Sequence, residues 1–258
     1  MEIIIAGYGF VGKAIAAVLK HHHIIHIVDP KVNNSIASDY KYAEGIIICV
    51  NTPSDYAGDC DIKQIIAVMD TTPAEVPVLI KSTIPPDYLE KILKLYPNHS
   101  ICYSPEFLRA NTADDDFRNQ TYMILGGTDP FDIWDRTFRI ALPKLKTIFH
   151  CTIAEASMTK YAINTFLSVK VTFFNQLFDM CRANNIDFNT VSNLLKLDDR
   201  IGNSHMQVPG PDGARGFGGH CFPKDTNAFV HFADRSNMSH TLVESAIKYN
   251  KKIRKTLT

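Results

Sequence analysis

An α/β domain with a doubly wound parallel sheet, followed by an all-helical domain, is the fold class this sequence predicts. Three observations carry it. Short apolar runs alternate with helical periodicities through residues 1–150, the pattern of a parallel sheet covered on both faces. A G-x-G-x-x-G turn, Gly7 to Gly12, joins the first strand to the first helix. From Thr152 to Asn184 one helical pattern runs without proline or glycine, well beyond the ~11–12 residues of an average helix. That change of texture places the boundary between residues 1–150 and 151–258.

Glu2 to Ala6 is a β-branched strand, followed by G7-Y8-G9-F10-V11-G12 and a helix through Leu19. Gly7 makes the tight turn, Gly9 lets the backbone approach a pyrophosphate, and Gly12 allows close packing of helix on sheet. The phosphates then meet the helix N-terminus, with Phe10 and Val11 in its first turn. A second strand, His26 to Val28, ends at Asp29, about 20 residues on, where a ribose-binding carboxylate belongs in a Rossmann-like site. Asp29 would accept from a ribose 2′-hydroxyl and repel a 2′-phosphate, which favours NAD over NADP; the cation of Lys31 argues the other way.

Strands at 45–50, 76–82 and 100–103 alternate with helices at 62–69 and 87–95. Each strand ends in a small polar or proline-bearing segment: Asn51-Thr52-Pro53, Ser82-Thr83-Ile84-Pro85 and Ser104-Pro105-Glu106. Ligands of open α/β sheets bind outside the carboxyl ends of strands, so these segments are expected to line the cofactor crevice. Turn chemistry alone explains the prolines but not the recurrence of Ser and Thr at one edge. Strands at 122–125 and 147–149 flank a helix at 131–141, while Asp114 to Asp116 reads as a solvated loop and His21 to His23 as a solvated turn.

On the long helix Lys160 and Asn164 stand at i and i+4 and share a face, with Glu155 another polar member. A helix at 188–197 precedes an irregular segment, Asp198 to Gly219. A loop of that length inside a compact region is usually functional. It delivers the chain to G-F-G-G-H-C-F-P-K-D, Gly216 to Asp225. With Pro223 as the first helical residue, Cys221 would face the unpaired amides of a helix N-terminus, which favours a thiolate nucleophile. Local spacing leaves open a plain structural cysteine in a glycine-rich turn. Helices at 226–233 and 241–253 follow.

Lysine plus arginine equal aspartate plus glutamate at 27 each, so no global field would draw the chain to nucleic acid or a membrane. The six cysteines form no C-x-x-C pair, which suggests neither a disulfide framework nor a metal site. No apolar run reaches the ~18 residues of a membrane span and no leader pattern precedes Glu2, so a cytoplasmic protein is expected.

The glycine fingerprint, Lys-Ser-Thr-Ile-Pro from Lys81, Ser-Pro-Glu-Phe-Leu-Arg from Ser104, Lys160 with Asn164, and the Cys221 segment occur here in one order. Together they resemble the UDP-glucose 6-dehydrogenases of the nucleotide-sugar dehydrogenase family, from Met1 to about Asn250. The resemblance implies an NAD-binding domain, a helical central dimerisation domain, and oxidation of a UDP-sugar in two hydride transfers through a thiohemiacetal and a thioester on Cys221. It implies that Lys160 stabilises the oxyanion, that Asn164 and Asp225 hold a water, that Glu106 assists thioester hydrolysis, and that Thr83 borders cofactor and water. Phe107, Leu108, Arg109, Phe217 and Gly218 fall with the substrate, and Arg200 reaches the substrate of a neighbouring subunit across a homodimer built on the long helix. Two departures stand out: Ala110 occupies a position where the family usually carries glutamate, and the sequence stops where the family's third, nucleotide-gripping domain would begin. A sibling acting on GDP-mannose or a UDP-N-acetylhexosamine, and a non-catalytic NAD-binding and dimerisation module, are the competing expectations.

Overall fold

The computed structural model describes residues 1–127 and 131–254. They fall into two compact units: Met1–Asp55 with Cys60–Lys160, and Tyr56–Asp59 with the chain from Tyr161 onward.

The first unit runs β1 (Glu2–Ala6), α1 (Phe10–Leu19), β2 (Ile24–Val28), β3 (Gly45–Ile48), α2 (Lys63–Met69), β4 (Val78–Ile80), α3 (Pro86–Leu95), β5 (Ile101–Tyr103), α4 (Ala113–Arg118), β6 (Tyr122–Gly127), α5 (Phe131–Ala141) and β7 (Thr147–Cys151). Among the described residues these strands form one seven-stranded sheet in the order β2-β1-β3-β4-β5-β6-β7. Side chains of a strand alternate between faces, and both faces are covered. Ile3 and Ile5 of β1 join Ala14, Ile15, Leu19 and Trp134 in one buried cluster, whereas Ile4 and Ala6 join Ile65, Met69, Leu89 and Ile92 in another. Chain order reverses between β1 and β3, which places a topological switch point just past Ala6 and Ile48.

Two sequence expectations need correction. The sheet is not wholly parallel, because β6 pairs antiparallel with β5 while β7 pairs parallel with β6. The connection from Tyr103 to Tyr122 holds only the six-residue α4 as an α-helix, and β6 enters from the end of the sheet at which β5 leaves it. Asp114 to Asp116 is not a loop but the first turn of α4, where three carboxylates suit the positive end of a helix. Asp116 also receives the Arg109 guanidinium at 2.6 Å, and that hydrogen bonding holds its carboxyl well below the usual range.

Helix α6 (Ile153–Ala183) starts in the first unit and carries the chain into the second. Glu155, exposed, closes the start of α6: it accepts from Thr152 N at 2.8 Å while Thr152 Oγ1 accepts from Glu155 N at 3.2 Å, a reciprocal N-terminal cap. Beyond it come α7 (Phe188–Leu195), α8 (Cys221–Arg235) and α9 (Thr241–Arg254). Phe174 and Cys181 of α6, Phe188 of α7, and Met206 and Val208 form the second unit's core. Among the described residues no helix is long and apolar enough to cross a membrane.

The corner between α8 and α9 carries a titratable clasp. His240 Nε2 lies 2.6 Å from Asp234 Oδ1, and its Nδ1 lies 3.4 Å from Glu244 Oε2. The Asp234 hydrogen bond, with both carboxylates, raises the imidazole above its ordinary value. A raised folded value means the clasp contributes fully below the unfolded imidazole's pKa of about 6.5 and fades as pH climbs through the folded value. Thermal midpoints measured from pH 6 to 9 should fall over that window, and His240→Gln should remove the fall.

Candidate functional site

In the first unit the candidate cofactor residues lie at the carboxyl ends of β1 to β5. Gly7 adopts φ +92°, and an added Cβ would meet Val50 N at 2.6 Å. A Cβ on Gly12 would stand 2.0 Å from Gly7 O, so α1 starts this close to the turn only because position 12 has no side chain. Gly9 is exposed and a Cβ there would meet nothing within 4 Å, leaving its backbone open toward solvent. Asp29 Oδ2 accepts from Tyr8 N at 2.6 Å and Oδ1 from Lys31 N at 2.8 Å, which fixes the carboxylate beside the turn. Phe10 and Lys31 are exposed and Val11 packs partly on the core. Open glycine backbone, a helix N-terminus and an anchored carboxylate are the donors and acceptor a dinucleotide needs. Gly12→Ala should lower stability by about 1–3 kcal/mol and weaken NAD binding, read by thermal unfolding with and without NAD.

At the next strand ends, Thr52 Oγ1 donates to Thr83 O at 2.8 Å and Ser82 Oγ to Val50 O at 2.7 Å. Pro53 is exposed and Thr83 half-buried. Glu106, 8% exposed, sits in a network the sequence reading did not anticipate. Its Oε2 lies 2.9 Å from Lys81 Nζ, whose side chain is 1% exposed, and Lys81 also donates to Ser104 Oγ at 3.1 Å. Glu106 Oε1 accepts from Phe107 N, and Glu106 O accepts from Lys160 Nζ at 2.6 Å. Lys160 Nζ stands 5.2 Å from the centre of the Phe107 ring. The usable signal for Lys81 was a lysine closing a buried apolar run, since lysine is almost never fully buried unless paired. Burial also pushes the nearby Cys49 thiol up to about 12, with Lys81 opposing and Glu106 reinforcing the shift, so this cysteine is inert.

The candidate substrate residues of this unit divide. Leu108 packs on the core, and Arg109 is exposed with its guanidinium on Asp116. Neither joins the Glu106 network.

In the second unit, Asn164 of α6 donates from Nδ2 to Asp225 Oδ2 at 2.5 Å, and both are buried. Asp225 Oδ1 lies 2.6 Å from Lys224 Nζ, a second lysine that the sequence reading left unassigned. Asp225 belongs to α8, which opens on Cys221 itself, with His220 as N-cap. Pro223 is therefore the third residue of the helix rather than the first. A proline is tolerated there because the amides of the first turn have no intrahelical acceptor. Cys221, half-buried, thus sits inside the first turn, one helical turn before Asp225. Phe217 is buried, and Gly218 is half-buried beneath the Arg254 guanidinium, 2.6 Å from where a Cβ would stand. Arg200 is 89% exposed in its side chain and pairs with Asp198, apart from Cys221 in the chain. Among the described residues no group of three or more His, Cys, Asp or Glu could hold a metal ion.

Residues 29–140 match the NAD binding domain of the UDP-glucose/GDP-mannose dehydrogenase family, and residues 154–252 match that family's central domain. A UDP-glucose 6-dehydrogenase of Rickettsia typhi is 29% identical over 231 residues, covering 86% of this chain and 52% of that protein. A UDP-glucose 6-dehydrogenase of Bacillus subtilis is 31% identical over 221 residues, covering 81% of this chain and 48% of its own. The chain thus spans about half the length of the curated relatives it matches. The solved structure of a UDP-glucose dehydrogenase from the archaeon Pyrobaculum islandicum superposes with a TM-score of 0.85 at 22% identity, over 97% of this chain and 68% of that one.

Proposed function

Because the chain belongs to the UDP-glucose/GDP-mannose dehydrogenase family, we propose that it carries the cofactor and cysteine domains of an enzyme that oxidises UDP-glucose to UDP-glucuronate. Residues 1–150 bind NAD, and residues 151–258 bring the nucleophile and the dimer contact. The observation that carries this reading is the buried hydrogen bond from Asn164 of α6 to Asp225 of α8, the helix that Cys221 opens.

The glycine turn of Gly7, Gly9 and Gly12, with Asp29, would hold NAD⁺, which would supply the hydride acceptor for each of two rounds of oxidation at C6. Asn164 and Asp225 hold the water that takes the O6 proton as the alcohol becomes an aldehyde. The Cys221 thiolate then adds to C6, forming a C–S bond, while the Lys160 ammonium stabilises the oxyanion of the thiohemiacetal. Loss of the second hydride leaves a thioester. Attack by the held water, with Glu106 assisting, breaks the C–S bond and releases the carboxylate and the thiol. Lys81 holds Glu106 in place for that step, and Thr83 borders the cofactor.

Dimerisation rests on the outer face of α6, where Phe166, Phe173 and Met180 follow one another at seven-residue intervals and are 65%, 57% and 61% exposed. Side chains so spaced share one helix face, and Arg200 would reach the partner's substrate from such a dimer. Phe173→Glu should shift the dimer to monomer by light scattering.

Mixing the full-length protein with NAD⁺ and UDP-glucose, GDP-mannose or a UDP-N-acetylhexosamine, and following NADH, tests the substrate. UDP-glucose should turn over fastest. Turnover of GDP-mannose alone would shift the reading to a sibling enzyme, and no turnover with any sugar would leave an NAD-binding and dimerisation module.

A further inference from the structure

The loop that delivers the chain to Cys221 has little regular backbone pairing of its own, and side chains of α6 and α9 supply it instead. Asn250, 7% exposed on α9, faces Phe217 with both ends of its carboxamide. Phe217 N donates to Asn250 Oδ1 at 2.7 Å, and Asn250 Nδ2 donates to Phe217 O at 2.9 Å. Asn175 of α6, 1% exposed, accepts from Gly216 N at 3.0 Å through Oδ1. Arg254, one turn past Asn250, donates to the carbonyls of Arg215 and Gly216 at 3.3 and 3.4 Å. Buried backbone must find partners, and here an asparagine replaces the partner that a neighbouring strand would provide.

The glycines of the loop fit the same arrangement. Gly216 holds φ +73°, and a Cβ there would lie 2.1 Å from Asn250 Oδ1 and 3.0 Å from Ile253 Cδ1. On Gly218 a Cβ would lie 2.6 Å from the Arg254 guanidinium. These positions are small because α9 packs its side chains directly on the main chain, beyond any demand of the turn itself.

We propose that Asn250 is a positioning residue for Cys221, acting through Phe217, with Arg254 in support. Phe217 lies four residues before the thiol, and Cys221 is the first residue of α8. A helix that starts from an irregular segment has a first turn without intrahelical acceptors for its amides, and it frays readily. Pinning Phe217 at both its N–H and its C=O holds that first turn in one geometry, so the sulfur keeps its place among the open amides. The proposal rests on the reading of Cys221 as the nucleophile, and deepens it by naming what aims the sulfur.

Iodoacetamide tests this without any turnover: the thiolate displaces iodide, and peptide mapping reads the rate at Cys221 against glutathione in the same tube. In the wild-type chain Cys221 should react faster than glutathione. Asn250→Asp keeps the acceptor for Phe217 N but sets a carboxylate against Phe217 O. It should slow Cys221 on the order of ten-fold with the circular-dichroism spectrum unchanged. Arg254→Gln, at a more exposed position, should slow it a few-fold and decides the matter if Asn250→Asp does not fold. A wild-type rate above glutathione, with Cys221 unchanged or faster in the folded variants, overturns the positioning role alone, because a merely structural clamp would expose the thiol when loosened. A wild-type Cys221 no faster than glutathione overturns the nucleophile itself, and the positioning role with it.

Discussion

Replacing Cys221 by serine is expected to stop oxidation at the aldehyde and to lower formation of the carboxylate product by at least about 10³-fold. The first hydride leaves an alcohol carbon and needs no sulfur, so the first round can survive. The second needs a tetrahedral adduct from which hydride departs, and a serine hydroxyl ionises far less readily than a thiol, whose ordinary pKa is about 8.5. Position matters as well as chemistry. Cys221 opens α8 one turn before Asp225, so these two ride on one helix, and the 2.5 Å hydrogen bond from Asn164 ties that helix to α6. Chromatography of the products with NADH counting reads the outcome: aldehyde with one NADH is expected, and unchanged carboxylate would remove Cys221 from the nucleophile's role.

Lys81→Met should cost about 3–5 kcal/mol, the usual penalty for stranding one member of a buried ion pair. Lys81 and Glu106 have side chains 1% and 8% exposed with 2.9 Å between Nζ and Oε2. Removing the ammonium leaves the Phe107 amide to hold the carboxylate through Oε1, and takes from Ser104 Oγ the hydrogen bond that Lys81 donates. The double variant Lys81→Met, Glu106→Leu should recover most of that stability, because an apolar pair of similar volume is often neutral or better than a buried ion pair. Urea unfolding of both single variants and the double variant closes the cycle, and additive losses would show that the two charges do not depend on each other. Recovery of stability in the double variant should not restore thioester hydrolysis, which separates the folding role of the pair from the chemical one.

Much of the fold was legible because strands buried on both faces announce themselves as continuous apolar runs. Ile3 to Ala6, Ile46 to Ile48 and Val78 to Ile80 are all fully buried, and each stands where its run predicts. Direction was not legible at β6, since an apolar run reads the same whichever way the chain enters it. Asp114 to Asp116 misled because acidic clusters suit loops and helix N-termini equally. At the cysteine, a proline two residues on suggested a later helix start, but helix geometry admits proline throughout the first turn. Lys81, Lys224 and Asn250 were passed over for one reason. Each acts through a partner distant in sequence or hidden by burial, and single-residue pattern reading does not see pairs such as Lys81 with Glu106 or Asn250 with Phe217.

The central claim, a covalent route through Cys221, is tested most directly by trapping the acyl-enzyme. Glu106→Gln in the full-length protein, mixed with UDP-glucose and NAD⁺ and quenched in acid, should accumulate a thioester that peptide mass mapping places on the segment containing Cys221. Formation of UDP-glucuronate at the wild-type rate with no adduct on Cys221, or an adduct on another cysteine, would contradict it.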